Sequence, residues 1–309
     1  MLASQGTSLY IDLRANGIKV DGEHVEMERC YAPYRQDALA QPAGAPAADR
    51  AKAASTAPAV VTLLRSPRAH VLSQWEECRY SVFGRNVSKL HPEFRERFES
   101  GTDAEGFDAW LSYFKPGRPL EAHPHNDYGC YNPRNMQTRA LTCTLPGIFA
   151  SHHDNRMPLP PFPVGQALAQ AHTADVLGIT ELYRESICLV RYRATGQLPA
   201  ECNCDSNERS VGRRSGGSTT HFSHTSNARR DTARVVAALP ATTLQRIDAL
   251  TKYDCPLYAA ALIHFVSQVL EVERATSAKL LCDGAMTRLR RQVDYIPELH
   301  VLFSRERRT

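Results

Sequence analysis

The sequence predicts a single α/β domain over residues 1–309, a central parallel sheet flanked by helices and interrupted by long irregular loops. Three observations predict it. VVTLL at 60–64 is a short, continuous apolar run, the pattern of a strand buried on both faces. It runs straight into the polar turn RSPRAH and a helical segment, VLSQWEECRYSVF. A second strand-to-helix unit follows at 174–192, ADVLGIT and then ELYRESICLVRY. Strand, tight polar turn and helix form the repeating unit of parallel α/β sheets, whose ligands sit at the carboxyl ends of the strands.

Taken in order, TSLYIDL at 7–13 reads as a helix start, with a Thr/Ser cap before apolar residues at helical spacing. Residues 35–58 are rich in Ala and Pro and have no apolar periodicity, the composition of a loop or insertion. Helices are expected at 107–114, at 133–143 with Pro133 near the first turn, and at 165–173. Residues 116–130 and 151–164 read as irregular. The stretch 197–228 is polar, rich in Gly, Ser, Asn and Arg, and carries no core signal. Two helices are expected to close the chain, 240–250 and 254–272, the second starting at an Asp254 cap.

The chain is long enough to bury a full core, and its 42% hydrophobic and 23% charged residues are ordinary for a globular protein. A formal net charge of +4 leaves room for a local anion pocket but does not suggest a surface built to coat a nucleic acid. No run approaches the roughly 18 apolar residues of a membrane span. The first ten residues lack the basic and apolar regions of a signal peptide, so the expectation is either a soluble cytosolic protein or a fragment lacking its leader. Nine cysteines are too few for a disulfide-built scaffold, and the odd count leaves at least one thiol free in a monomer.

The chemistry concentrates in VVTLLRSPRAHVLSQW at 60–75. Arg65 at a strand end offers a planar fork of donors suited to phosphate. Pro67 starts a helix without wasting a donor, and Ser73 adds a hydroxyl two turns on. Strand, Arg-x-Pro, then Ser eight residues after the Arg resembles the 3′-phosphate motif of the sulfotransferases that use 3′-phosphoadenosine-5′-phosphosulfate (PAPS). The resemblance is strongest to the Golgi carbohydrate and uronyl 2-O-type branch and its algal relatives. His70 stands where that family often has a second basic residue.

SQGTSLY at 4–10 resembles the latter half of the family's first motif, a Pro-Lys-x-x-Gly-Thr-Ser-Leu loop that holds the 5′-phosphosulfate at a helix N-terminus. Gly6, Thr7, Ser8 and Leu9 match, whereas Ala3 stands at the family's Lys. A truncated start would explain that departure; impaired catalysis is the alternative. CYNPRNMQTRAL at 130–141 resembles a segment that would bring Gln137, Thr138 and Arg139 near the nucleotide or acceptor. Gly178, Thr180 and Glu181, and then Asp254, Leu257 and Tyr258, recur at positions that mainly order the family's fold.

The resemblance implies a P-loop-like sulfotransferase fold, PAPS as co-substrate, no metal, and a hydroxyl acceptor on a glycan. It implies a base between the two nucleotide motifs, for which Glu28 and His24 are the candidates. It also implies a loop that closes the nucleotide site, so that Arg213, Arg214, His221 and His224 could meet the 3′-phosphate. Localisation by resemblance is the Golgi lumen, with a cytoplasmic protein as the alternative. A different class of function remains open: a nucleotide-binding pseudoenzyme or interaction module without the first-motif Lys. Cys202-x-Cys204 with His221-x-x-His224 offers four zinc-type ligands at a spacing shorter than usual; a disulfide through Cys202 or Cys204 is the competing use.

Overall fold

The computed structural model describes residues 61–80, 103–112, 114, 132–142, 163–204 and 232–305. Among them the chain is mostly helical, with one two-stranded parallel sheet. Strand β1 (Val61–Leu64) leads into α1 (Pro67–Tyr80). Helices α2 (Asp103–Ser112), α3 (Met136–Thr142) and α4 (Val164–Ala171) precede β2 (Val176–Ile179). A 3₁₀ turn, Thr180–Leu182, then opens α5 (Tyr183–Thr195), which stops at Gly196, whose φ of 69° is the left-handed conformation glycine adopts without a Cβ penalty. After a second 3₁₀ turn, Ala200–Cys202, come α6 (Thr232–Ala237), α7 (Ala241–Leu250), α8 (Asp254–Thr276), α9 (Asp283–Val293) and α10 (His300–Arg305).

The strands pair in parallel with Leu63 opposite Gly178 and Leu64 opposite Ile179. All four β2 residues are buried, whereas β1, expected to be buried on both faces, is half-buried at Val61 and Thr62 and buried at Leu63 and Leu64. The side of β2 facing α5 is closed by Ser186, whose Oγ accepts from the Ile179 N–H at 2.9 Å and donates to the Ile179 carbonyl at 3.0 Å. That pair satisfies backbone groups a strand would otherwise leave unmade. Ser186 can approach because residue 178 has no Cβ: a methyl there would overlap Leu63 Cδ2 and stand 3.0 Å from Ser186 Cβ and Oγ.

Two apolar clusters hold the helices. One joins β1 and β2 to α4, α5, α8 and α9 through Leu64, Val176, Ile179, Leu189, Leu262 and Leu289. The other lies under α1, where Trp75 meets Phe107 and Trp110 of α2, with Ile247 and Leu250 of α7 beside them. Helix α8 is 23 residues long with a mean hydropathy of 1.4 over its most apolar window, enough by length and composition to cross a membrane. This corrects the expectation that no stretch reaches that length. Its inward face, including Leu257, Leu262 and Phe265, is packed in the first cluster as a core helix is.

Several sequence expectations change. The first helix starts at Pro67, four residues before the expected segment, because Pro67 is itself the first helical residue. Residues 283–305 were expected to carry no element and form α9, a 3₁₀ turn and α10. Within the stretch read as lacking a core signal, Cys202 joins the core, 1% exposed and bonded to Cys188, and half-buried Cys204 packs against it, bonded to Cys282. Both cysteines of the proposed zinc set are therefore used in disulfides. The described residues contain no group of three metal-ligating side chains. Cys78 is also disulfide-bonded, and Cys255 is a free thiol that burial pushes up to about 12. In the chain-entropy picture, bridging 14 and 78 residues contributes about 3 and about 4.5 kcal/mol.

Asp254 does not cap its own helix. Its Oδ1 accepts from the Thr138 N–H at 2.8 Å and the Thr138 hydroxyl at 2.7 Å, and its Oδ2 from the Gln137 N–H at 3.3 Å, so it caps α3. In return Asn135 Oδ1 accepts the N–H groups of Tyr253 and Asp254 at 2.8 and 3.3 Å, capping α8. Asn135 holds a φ of 45°, which Asn tolerates better than most residues. Two helix starts distant in sequence thus satisfy each other's orphan donors.

Burial raises the Asp254 carboxyl to about 6, against the opposing pull of the Thr138 and Gln137 hydrogen bonds. With the folded value above the unfolded one, the group's contribution to stability is full below about pH 4 and is lost as pH rises through 6. Asp254→Asn should lose stability by about 1–3 kcal/mol at neutral pH, since its amide must face a donor, and should flatten this pH dependence; urea melts from pH 4 to 8 read both. Gly178→Ala should cost about 1–3 kcal/mol through overpacking, read as a lower urea midpoint with an unchanged m-value.

Candidate functional site

The candidate site lies where β1 ends, and backbone contacts fix it there. The Arg65 N–H donates to Gln137 Oε1 at 2.9 Å, and Gln137 Nε2 donates back to the Arg65 carbonyl at 2.9 Å. One side-chain amide thereby supplies both halves of a strand-like pairing just beyond the last sheet residue. The next N–H, that of Ser66, donates to Glu181 Oε1 at 2.8 Å. Glu181 Oε2 accepts from the Tyr258 hydroxyl at 3.0 Å, and burial together with the Glu181 charge keeps that phenol well above its usual range. Gln137 in turn stands on the first turn of α3, which Asp254 caps.

The start of α1 is already occupied by protein groups. Pro67 has no N–H, and the Arg68 N–H donates to the Tyr295 hydroxyl at 3.2 Å. The Arg68 guanidinium makes a two-pronged pair with Asp248, both contacts at 2.7 Å, and lies 3.7 Å over the Tyr295 ring. Arg68 is thus fastened to α7 and to the segment after α9. With the Ser66 and Arg68 N–H groups taken, an anion at this turn would depend mainly on side chains.

Arg65 is suited to that. It is half-buried, makes no salt bridge among the described residues, and has one long side-chain hydrogen bond, Nη2 to Thr232 Oγ1 at 3.4 Å. Burial lowers its pKa, with Glu181, Glu76 and Tyr258 pulling the other way. A partly desolvated cation, most of whose donors are unengaged among the described residues, gains by meeting an anion. Ser73 is half-buried on the same helix, and its hydroxyl has no side-chain partner among the described residues.

His70 lies between these two in sequence, with Nε2 3.4 Å from Gln74 Nε2. Burial, then the Arg65 and Arg139 charges, push it down to about 3. At neutral pH it is an uncharged imidazole, not the second cation found at this position in the resembled family. Beside the turn lies a cavity of about 180 Å³, lined by Ser66, Ala69, Val236, Leu244, Arg291 and others.

Arg139 takes a different place from the one expected of a nucleotide ligand. It is 1% exposed, and its Nε and Nη2 donate to the carbonyls of Arg134 and Asn132 at 2.7 and 2.5 Å. Burial lowers it to about 10. It orders the 132–135 turn, which carries the Asn135 cap. Gln137 and Thr138, expected near the ligand, likewise serve the Arg65 backbone and Asp254. Gly6, Thr7, Ser8, Leu9, His24, Glu28, Arg213, Arg214, His221 and His224 lie outside the described residues.

Thr232 stands beside Arg65, and Arg68 pairs with Asp248 and Tyr295. No short-range pattern signals either, because the partners lie 167, 180 and 227 residues away in the chain. No family model, no curated protein and no solved structure matches the chain.

Proposed function

We propose that this chain binds PAPS with the 3′-phosphate on Arg65 and Ser73, and transfers its sulfuryl group to a hydroxyl of a glycan. The observation that carries the reading is the state of Arg65: a half-buried guanidinium with one long hydrogen bond among the described residues, on a turn locked by Gln137 and Glu181. Eight residues on, the half-buried Ser73 hydroxyl has no side-chain partner among the described residues. The two strand-to-helix units, β1–α1 and β2–α5, paired in parallel, support a P-loop-like sulfotransferase arrangement.

Sulfuryl transfer resembles phosphoryl transfer in asking mainly for alignment and for stabilisation of charge on the leaving oxygen. The bond from sulfur to the 5′-phosphate oxygen breaks as one to the acceptor oxygen forms. The acceptor proton passes to a base, Glu28 or His24 in this proposal. The glycan acceptor rests on the branch resembled. The disulfides support folding in an oxidising compartment, in keeping with the Golgi lumen. The second reading, a nucleotide-binding module without turnover, is favoured by Ala3 at the family's Lys position.

Calorimetric titration with 3′-phosphoadenosine-5′-phosphate should show micromolar binding. Arg65→Ala should weaken it by about 1.5–3 kcal/mol, as loss of a charge-assisted contact does, and Ser73→Ala by about 0.5–1.5 kcal/mol. Absence of binding by the folded chain would overturn both readings. Binding without sulfation of any glycan acceptor would select the non-catalytic one.

A further inference from the structure

Cys204–Cys282 and Cys188–Cys202 share the sequence Cys202-Asn203-Cys204, yet their surroundings differ in ways that matter for exchange chemistry. In the Cys188–Cys202 bond both residues are buried, 5% and 1% exposed. In the other, Cys204 is half-buried while Cys282 is 7% exposed. Of the four cysteines, Cys204 is the one that is not buried among the described residues, so it is the one a thiolate from solvent meets most readily.

The same bond is polarised for breaking in one direction. Cys282 is the N-cap residue of α9, an 11-residue helix whose N-terminal dipole end favours negative charge there. Independently, Arg184 Nη1 reaches Cys282 Sγ at 3.1 Å, while its Nη2 is held by the Glu201 carbonyl at 2.6 Å. A guanidinium beside the sulfur stabilises a departing thiolate. The Leu280 carbonyl oxygen adds to the asymmetry: it stands 3.2 Å from Cys204 Sγ and 3.6 Å from Cys282 Sγ, disfavouring negative charge more at Cys204. The carboxylate in the first turn of α9, Asp283, is 90% exposed and paired with Lys279 at 2.9 Å, so it does little to oppose this. Glu185, 4.0 Å from Arg184, is protonated more readily than usual because burial raises it.

We propose that Cys204–Cys282 is a thiol–disulfide exchange site that takes a small-molecule thiol on Cys204 and expels Cys282 as thiolate. The incoming thiolate forms a sulfur–sulfur bond to Cys204 as the bond to Cys282 breaks, leaving a mixed disulfide and a Cys282 thiolate paired with Arg184. A second thiolate then attacks the small-molecule sulfur of the mixed disulfide. It releases the oxidised small-molecule disulfide, and Cys204 leaves as a thiolate that takes a proton from water. Two thiols are oxidised and one protein disulfide is reduced. Opening releases the 202–204 segment from the start of α9, the covalent closure of the 78-residue span that carries Thr232 and helices α6 to α8.

The test is a time course of the folded chain in reduced glutathione, quenched with acid and mapped by mass spectrometry of peptides. Cys204–Cys282 should open before Cys188–Cys202, with glutathione trapped on Cys204. Arg184→Met should slow opening by roughly three- to tenfold, as expected if the leaving thiol's pKa rises by about one to two units, and Arg184→Lys should restore part of the rate. Earlier opening of Cys188–Cys202, glutathione on Cys282, or an Arg184→Met rate equal to the parent's would overturn the proposal. Should Arg184→Met not fold, the order of opening and the position of the adduct on the unaltered chain decide alone.

Discussion

The pairing of the Gln137 amide with the Arg65 backbone is the constraint on which the candidate site depends. A strand that ends in an arginine would ordinarily leave that residue's N–H and carbonyl to solvent and its side chain free to swing. Here both backbone groups are matched at 2.9 Å by one planar amide, and the next N–H is taken by Glu181. Gln137 can do this only because α3 is anchored through Asp254, and α8 through Asn135 in return. The position of the Arg65 backbone is thereby fixed by two helix starts far from it in sequence. Buried polar contacts of this kind are costly to break, since each partner left behind is desolvated and unmatched.

The same arrangement explains why a half-buried cation stays only lightly engaged among the described residues. Arg68, three residues on, is spent on Asp248 and Tyr295, and Arg139 on two carbonyls. Those two guanidinia hold the fold together, whereas among the described residues Arg65 meets only Thr232. An uncharged His70 beside it lessens like-charge crowding around the fork.

Much of this frame was legible in the sequence. The run VVTLL and the turn RSPRAH give β1 and the start of α1, because a doubly buried strand needs no alternation and Pro67 marks a first turn. Helix α9 was legible too but was not read: Ala285, Met286, Leu289 and Val293 recur at helical spacing and are the residues it buries, hidden by the charged residues between them. Other features have no local signature. Asp254 looks like a cap for the helix it begins, and nothing nearby in sequence says that it serves α3 instead. Cysteine pairing cannot be deduced from spacing, so although the short Cys202-x-Cys204 spacing favours disulfides over zinc, the partners Cys188 and Cys282 have no local signature. The role of Gln137 depends on a contact 72 residues away in the chain.

The most direct measurement of the central claim is amide hydrogen exchange at Arg65 and Ser66, followed by NMR in the parent chain and in Gln137→Ala. If the turn is clamped as described, both amides exchange in the parent only through large openings, with protection near that of the β2 amides. In Gln137→Ala the Arg65 amide then loses most of its protection while β2 keeps its own. Exchange of the Arg65 amide at the rate of an exposed loop in the parent, or protection unchanged by the substitution, would contradict the account.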